Sequence, residues 1–357
     1  MYVINITDSV SGPILTSDTY EILMFVQLVP LFLISLLGVV TNVINILVFT
    51  KQGLTSDSTT LSLFALTLSD LLACVFMLPH PLCFVLQRFV VSRELLIRNC
   101  LVLSTMSATY PHILCTQIGC WITVYISVER AVSVLFPLQV KLLIKYKNTA
   151  VVLMFIYGAE IVGHVPYLVN SPILWIRDDS KNDTLMAINY QTPLGVSLYA
   201  YSNLIESNIL ITVAMLIITG STLATLERIR TSSAWRNTMR SNVKLSKSQS
   251  LQSTAEIKSE IVRPDKITTK DKETVKMVAS VTCCLLVCLA CFQIPGLAMY
   301  AIPEFSLAGY NKDIFQVFYT FKFILDTLSA SINFFFYVNQ SSRFRKTYNS
   351  IIPQLKR

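Results

Sequence analysis

The chain has 357 residues, 53% hydrophobic and only 14% charged, with a net charge of +8. Soluble domains carry about 25% charged residues, so this composition excludes an ordinary soluble protein and points to the bilayer. The basic excess is divided among several loops, which argues against a nucleic-acid partner and for attraction to an anionic membrane surface.

Seven stretches are apolar over a length that carries a helix across a ~30 Å hydrocarbon core. They cover 23–50, 60–86, 100–135, 149–169, 199–226, 275–301 and 314–338. Backbone groups in lipid must be satisfied within their own segment, so each stretch is expected to be helical. Residues 1–22 read as an outer tail, 23–338 as an all-α seven-transmembrane bundle and 339–357 as an inner tail. No Lys or Arg precedes the first stretch, so that helix is expected to act as its own insertion signal.

Basic residues set the orientation. Lys51, then Lys141, Lys145 and Lys147, the run over 227–272, and Arg343, Arg345 and Lys346 all fall on one side. The N-terminus is therefore expected outside and the C-terminus in the cytoplasm, in the plasma membrane. The sequons at Asn5 and Asn182 fall on the outer side and are candidate glycosylation sites, whereas a third, at Asn339, falls inside.

Eight of the nine cysteines lie within or near the apolar stretches, where Cys behaves as a small hydrophobe. Cys100 has no Cys in the loop 170–198 to pair with, and a bond to Cys83 stays open. Residues 227–272 are rich in Ser, Thr, Lys and Arg and read as a long loop, disordered in part. Hydroxyls such as Thr231, Ser232 and Ser246 beside basic residues suit a kinase. Arg343-Phe344-Arg345-Lys346 has the pattern of a short amphipathic helix lying on the membrane surface.

Ionisable groups inside a membrane helix are expensive and point to function. Asp70 lies midway along the second stretch, and Asn42 in the first and Asn333 in the seventh are placed to reach it. Together they would form a buried hydrated network for a proton or a small cation. Glu129-Arg130 ends the third stretch, where the guanidinium fork either snorkels to the interface or binds a partner's carbonyls.

In this order the residues resemble the rhodopsin-like G-protein-coupled receptors over all seven helices. Asn42 and Asp70 match that family's first- and second-helix polar pair, and Glu129-Arg130-Ala131 its D-R-Y motif. Phe292-Gln293-Ile294-Pro295 stands for C-W-x-P, and Asn333-Phe334-Phe335-Phe336-Tyr337 for N-P-x-x-Y, with Phe344 seven residues later. The wording around Tyr110-Pro111-His112 and Phe136-Pro137-Leu138 is similar to invertebrate chemosensory or neuropeptide receptors. The resemblance implies coupling and switching through Glu129, Arg130, Pro295 and Tyr337, and a candidate sodium ion at Asp70, although Gly119 replaces the usual Ser there.

The departures matter as much. The family's bridge from the third helix to the second outer loop has no second cysteine here, and Gln293 and Phe334 replace the switch Trp and Pro. Thr327 stands where opsins carry their retinal Lys, and His112 where amine receptors carry an Asp. Ligand-pocket candidates are His112, Thr116, Gln293, Lys322 and Asp326, with Glu160, His164 and Glu206 as further polar residues.

The expected function is reception of an extracellular ligand, a peptide or a small chemosensory molecule, and activation of a heterotrimeric G protein. Receptor kinase and arrestin would be further partners. The alternative is a seven-helix ligand-gated channel or ion-coupled transporter using Asp70, Glu160 and Asp326 as relay carboxylates. The chain carries neither H-E-x-x-H nor G-x-S-x-G, so no enzyme and no cofactor is expected.

Overall fold

The computed structural model describes residues 15–55, 57–89, 99–136, 144–169, 173–178, 183–188, 197, 202–249, 269–302, 304–305 and 310–355. Among them, seven helices are long and apolar enough to cross a membrane: Ser17–Gln52, Ser58–Leu86, Cys100–Leu135, Tyr146–Val165, Leu204–Thr231, Glu273–Ala298 and Lys312–Gln340. These are the first to seventh spans. An eighth, shorter helix, Ser342–Leu355, follows the last. Asn5 and Asn182 lie outside the described residues.

Three boundaries differ from the sequence expectation. The first helix starts at Ser17, within the 1–22 tail, because Thr16 caps it: its hydroxyl accepts the Thr19 N–H at 3.3 Å. The fifth helix does not stop at 226 but continues as Ile211–Gln249 into the expected loop. No Gly or Pro interrupts 221–249, and a polar sequence beyond the bilayer can stay helical. The expected inner tail 339–357 opens with the last two residues of the seventh helix, Asn339 and Gln340, and the surface helix expected there follows as Ser342–Leu355.

The bundle is nearly all helical. An antiparallel pair, Ile173–Asp178 with Asp183–Ile188, crosses part of the connection between the fourth and fifth spans, in register Ile173↔Ile188 to Asp178↔Asp183. Ile173, Trp175 and Ile176 are residues that favour strand, which accounts for a hairpin where an irregular loop is expected.

The third span is central, packing against the second, fourth, fifth and sixth, while the first packs on the second and seventh. Near its start, Thr105–Thr109 forms a π turn, closed by the Tyr110 N–H bonding to the Thr105 carbonyl. Pro111 follows directly. Its ring would clash with a carbonyl one α-turn earlier, and the wider turn makes room. Close to the same end, Cys83 and Cys100 form a disulfide with Cα atoms 5.2 Å apart, the pairing left open by the sequence.

At the opposite end, which carries Arg130, Val48, Phe49, Ile122, Ile126, Met277 and Tyr337 form the core, and Phe344 and Ile351 of the surface helix dock into it. Tyr337 stacks edge-on with Phe49 at 5.4 Å and lies 5.5 Å from Phe344. Large apolar residues on the fourth and fifth spans face outward, Phe155 at 73% and Leu216 at 68% exposure, as a bundle bathed in lipid requires.

Gly38 brings the first and seventh spans together. A Cβ there would lie 2.4 Å from both Cys74 Sγ and Ser331 Oγ, and Thr41 donates to the Ser331 carbonyl at 3.2 Å beside it. Gly158 has nothing within 4 Å of the same position. Gly38→Ala should therefore cost roughly 1–3 kcal/mol through overpacking. Gly158→Ala should be neutral or stabilising by about 0.5–1 kcal/mol. Thermal unfolding of the two purified variants measures the contrast.

Candidate functional site

The polar residues of the spans fall into three groups along the bundle. The middle group is Asn42, Asp70 and Asn333. Asn333 Nδ2 donates to Asp70 Oδ2 at 2.8 Å, as the sequence suggests. Asn42 does not reach Asp70. Its amide donates to the carbonyls of Gly38 at 2.9 Å and Ala330 at 3.0 Å, and its oxygen accepts from Asn45 at 3.4 Å. The close approach at Gly38 accounts for this, because it brings the seventh-span backbone within reach before any side chain.

These residues do not fit a sodium ion. A hard cation needs several oxygen ligands. One Asp70 oxygen already accepts an amide, the Ser69 hydroxyl donates to the Leu66 carbonyl at 2.9 Å, and Gly119 presents no hydroxyl. Among the described residues no group of three His, Cys, Asp or Glu side chains is placed to hold a metal.

Next to this group lies a small cavity of ≈ 60 Å³ between the second, third, fifth, sixth and seventh spans. Thr116, Gln293, Lys322 and Asp326 all line it, joined by Asp70, Gly119 and Asn333 and by an apolar wall of Ile211, Leu285 and Leu289. Lys322 and Asp326 form an ion pair one turn apart, with side chains 16% and 8% exposed. The Gln293 amide lies 3.3 Å from the Thr212 hydroxyl, which donates to the Asn208 carbonyl at 2.7 Å, so the residue in the switch position meets the fifth span.

His112 is the exception among the pocket candidates. It is fully buried, its Nδ1 lies 2.9 Å from the Ala73 carbonyl, and its ring meets Phe323 edge-on at 5.5 Å. Helical spacing puts it on the same face as Thr116, but the side chain turns to the second span and is absent from the cavity lining. Glu160, His164 and Glu206 lie apart from the cavity and bridge the fourth and fifth spans, with His164 Nε2 3.6 Å from Glu206 and Nδ1 4.0 Å from Glu160. Pro295 lies within the helix Thr269–Ala301.

The third group surrounds Arg130. Glu129 is buried and accepts from Ser58 at 2.7 Å, Ser62 at 3.3 Å and Arg130 Nη2 at 2.9 Å. Arg130 also donates to the Thr59 hydroxyl, while its Nε is buried without a partner. Both residues are thus held against the second span. On its other side Arg130 lines a narrow crevice with Thr222 and Thr225 of the fifth span and Val275 and Val278 of the sixth. A wider groove of ≈ 380 Å³ follows between those two spans, lined by Leu226, Ile229, Lys276, Ser280 and Cys283.

Asp57, directly before Ser58, caps the second span by accepting the Thr60 N–H at 2.6 Å and pairs with Arg343 of the surface helix. Sequence reasoning misses Asp57, Ser58, Thr59 and Ser62. The one signal they carry is the polar run opening the second span, which reads first as a helix cap.

A family model described as serpentine type 7TM GPCR chemoreceptor Srx matches residues 32–257, more than half of the chain. The chain belongs to this family of seven-transmembrane chemoreceptors. No curated protein matches it.

Burial raises the Asp57 pKa, but the hydrogen bonds from Arg343 and Thr60 outweigh it and hold the carboxyl below its ordinary value. A carboxylate with a lowered folded-state pKa stabilises fully above the unfolded value and loses that contribution as pH falls through the folded one. Wild type and Asp57→Asn should therefore differ most in thermal stability above roughly pH 5, and the difference should shrink progressively as pH falls below about 4. A pH series of unfolding midpoints checks this.

Proposed function

We propose that the chain is a plasma-membrane chemoreceptor that binds a small extracellular molecule between its spans and activates a heterotrimeric G protein through Arg130. In this reading the N-terminus faces outside and the Arg130 end faces the cytoplasm, which the distribution of Lys and Arg supports. The cavity between the spans, ≈ 60 Å³, leaves no room for a peptide and favours a small molecule whose entry would enlarge it.

The observation that carries the reading is the placement of Arg130. Its guanidinium is held by Glu129 and Thr59 at the mouth of a crevice between the fifth and sixth spans. Swinging the sixth span outward would widen that crevice and present the guanidinium to a partner's carbonyls. The ligand supplies its differential affinity for the two arrangements. Gln293 connects the cavity to this motion, because it lines the cavity and its amide meets the Thr212 hydroxyl on the neighbouring span. Hydroxyl-bearing residues beyond Thr231 are the proposed targets of a receptor kinase, with arrestin as a second cytoplasmic partner.

The test uses the receptor in lipid nanodiscs with a purified heterotrimeric G protein and a panel of small volatile and water-soluble compounds. At least one compound should accelerate nucleotide exchange. Arg130→Ala should abolish the acceleration while binding of that compound stays measurable. Full exchange activity in the variant would refute the coupling role. Lys322→Met should weaken binding of the same compound by breaking a buried pair, with a loss of roughly 3–5 kcal/mol in fold stability to be separated by thermal unfolding.

A further inference from the structure

We infer that the sixth span of this receptor is locked shut by the seventh span and the surface helix, and that Arg130 takes no part in the lock. This deepens the coupling reading above and rests on it. Among the described residues Arg130 hydrogen-bonds to Glu129 and Thr59, both away from the sixth span. At the Arg130 end the sixth span's polar ties run the other way. Gln340 Nε2 donates to Ser280 Oγ at 2.8 Å, while the Ser280 hydroxyl, 3.0 Å from the Lys276 carbonyl, donates there. Seven residues earlier, Glu273 Oε2 accepts the backbone N–H of Ser342 at 3.1 Å.

Each tie answers a local need. Ser342 is the first residue of the surface helix, whose opening N–H groups have no partner within the helix. A carboxylate there also meets the positive end of the helix dipole. Gln340 is the last residue of the seventh helix, so its amide is free to turn sideways to the neighbouring span. Ser280 belongs at once to this lock and to the lining of the groove between the fifth and sixth spans. Any outward swing of the sixth span that opens the groove has to pull Ser280 from Gln340 and Glu273 from Ser342. Neither bond reaches the third span.

The lock is tested on the full-length receptor in nanodiscs without ligand. Spin labels carried on ketone-bearing amino acids at Tyr146 and Lys276, both exposed, leave the native cysteines alone. Electron resonance then reads the distance between the fourth and sixth spans. Gln340→Leu and Ser280→Ala should each raise the long-distance population roughly fivefold, the change expected for one hydrogen bond. Ser280→Thr, which keeps the hydroxyl, should retain the wild-type distribution, and a general loss of fold would not spare it. Wild-type distances in both Gln340→Leu and Ser280→Ala would overturn the lock. Longer distances without faster basal nucleotide exchange would leave the lock standing and remove the coupling reading.

Discussion

The bilayer offers no water to a polar side chain within it, so each such group must find its partner inside the protein. The three polar groups along the bundle follow from that constraint. Asp70 is met by Asn333, Asn42 by backbone carbonyls of its own and the seventh span, and Glu129 by Arg130 and two serines. Each arrangement joins spans that are distant in sequence. The apolar core supplies most of the packing, but these bonds specify which helix faces which.

The same cost makes part of the site legible in the amino-acid sequence. A carboxylate or an Arg within an apolar stretch is conspicuous because it needs a reason, and Asp70, Arg130, Lys322 and Asp326 are each partnered in the bundle. The helices are equally plain, because a hydrocarbon core demands a fixed length of apolar residues. Residues at the span ends give no such signal. Asp57, Ser58, Thr59, Glu273 and Gln340 have sequences typical of any helix terminus, and only the crossing of helices shows which of them meet.

His112 and the fifth helix show two other limits. Helical periodicity gives the direction of a Cα–Cβ bond but not the rotamer beyond it, and His112 turns to Ala73 and away from the cavity. Hydropathy marks where a helix leaves the membrane but says nothing about where it ends. Ile211–Gln249 runs on in a polar sequence because no Gly or Pro stops it.

The meeting of the first and seventh spans at Gly38 has a mechanical consequence. Two helices that touch backbone to side chain at a position with no room for a methyl group cannot slide or tilt past one another. They form one stiff wall, extended by the surface helix through Phe344 and Asp57–Arg343. On the switching proposed above, the stiffness of that wall sets how much of a displacement in the cavity reaches the Arg130 end.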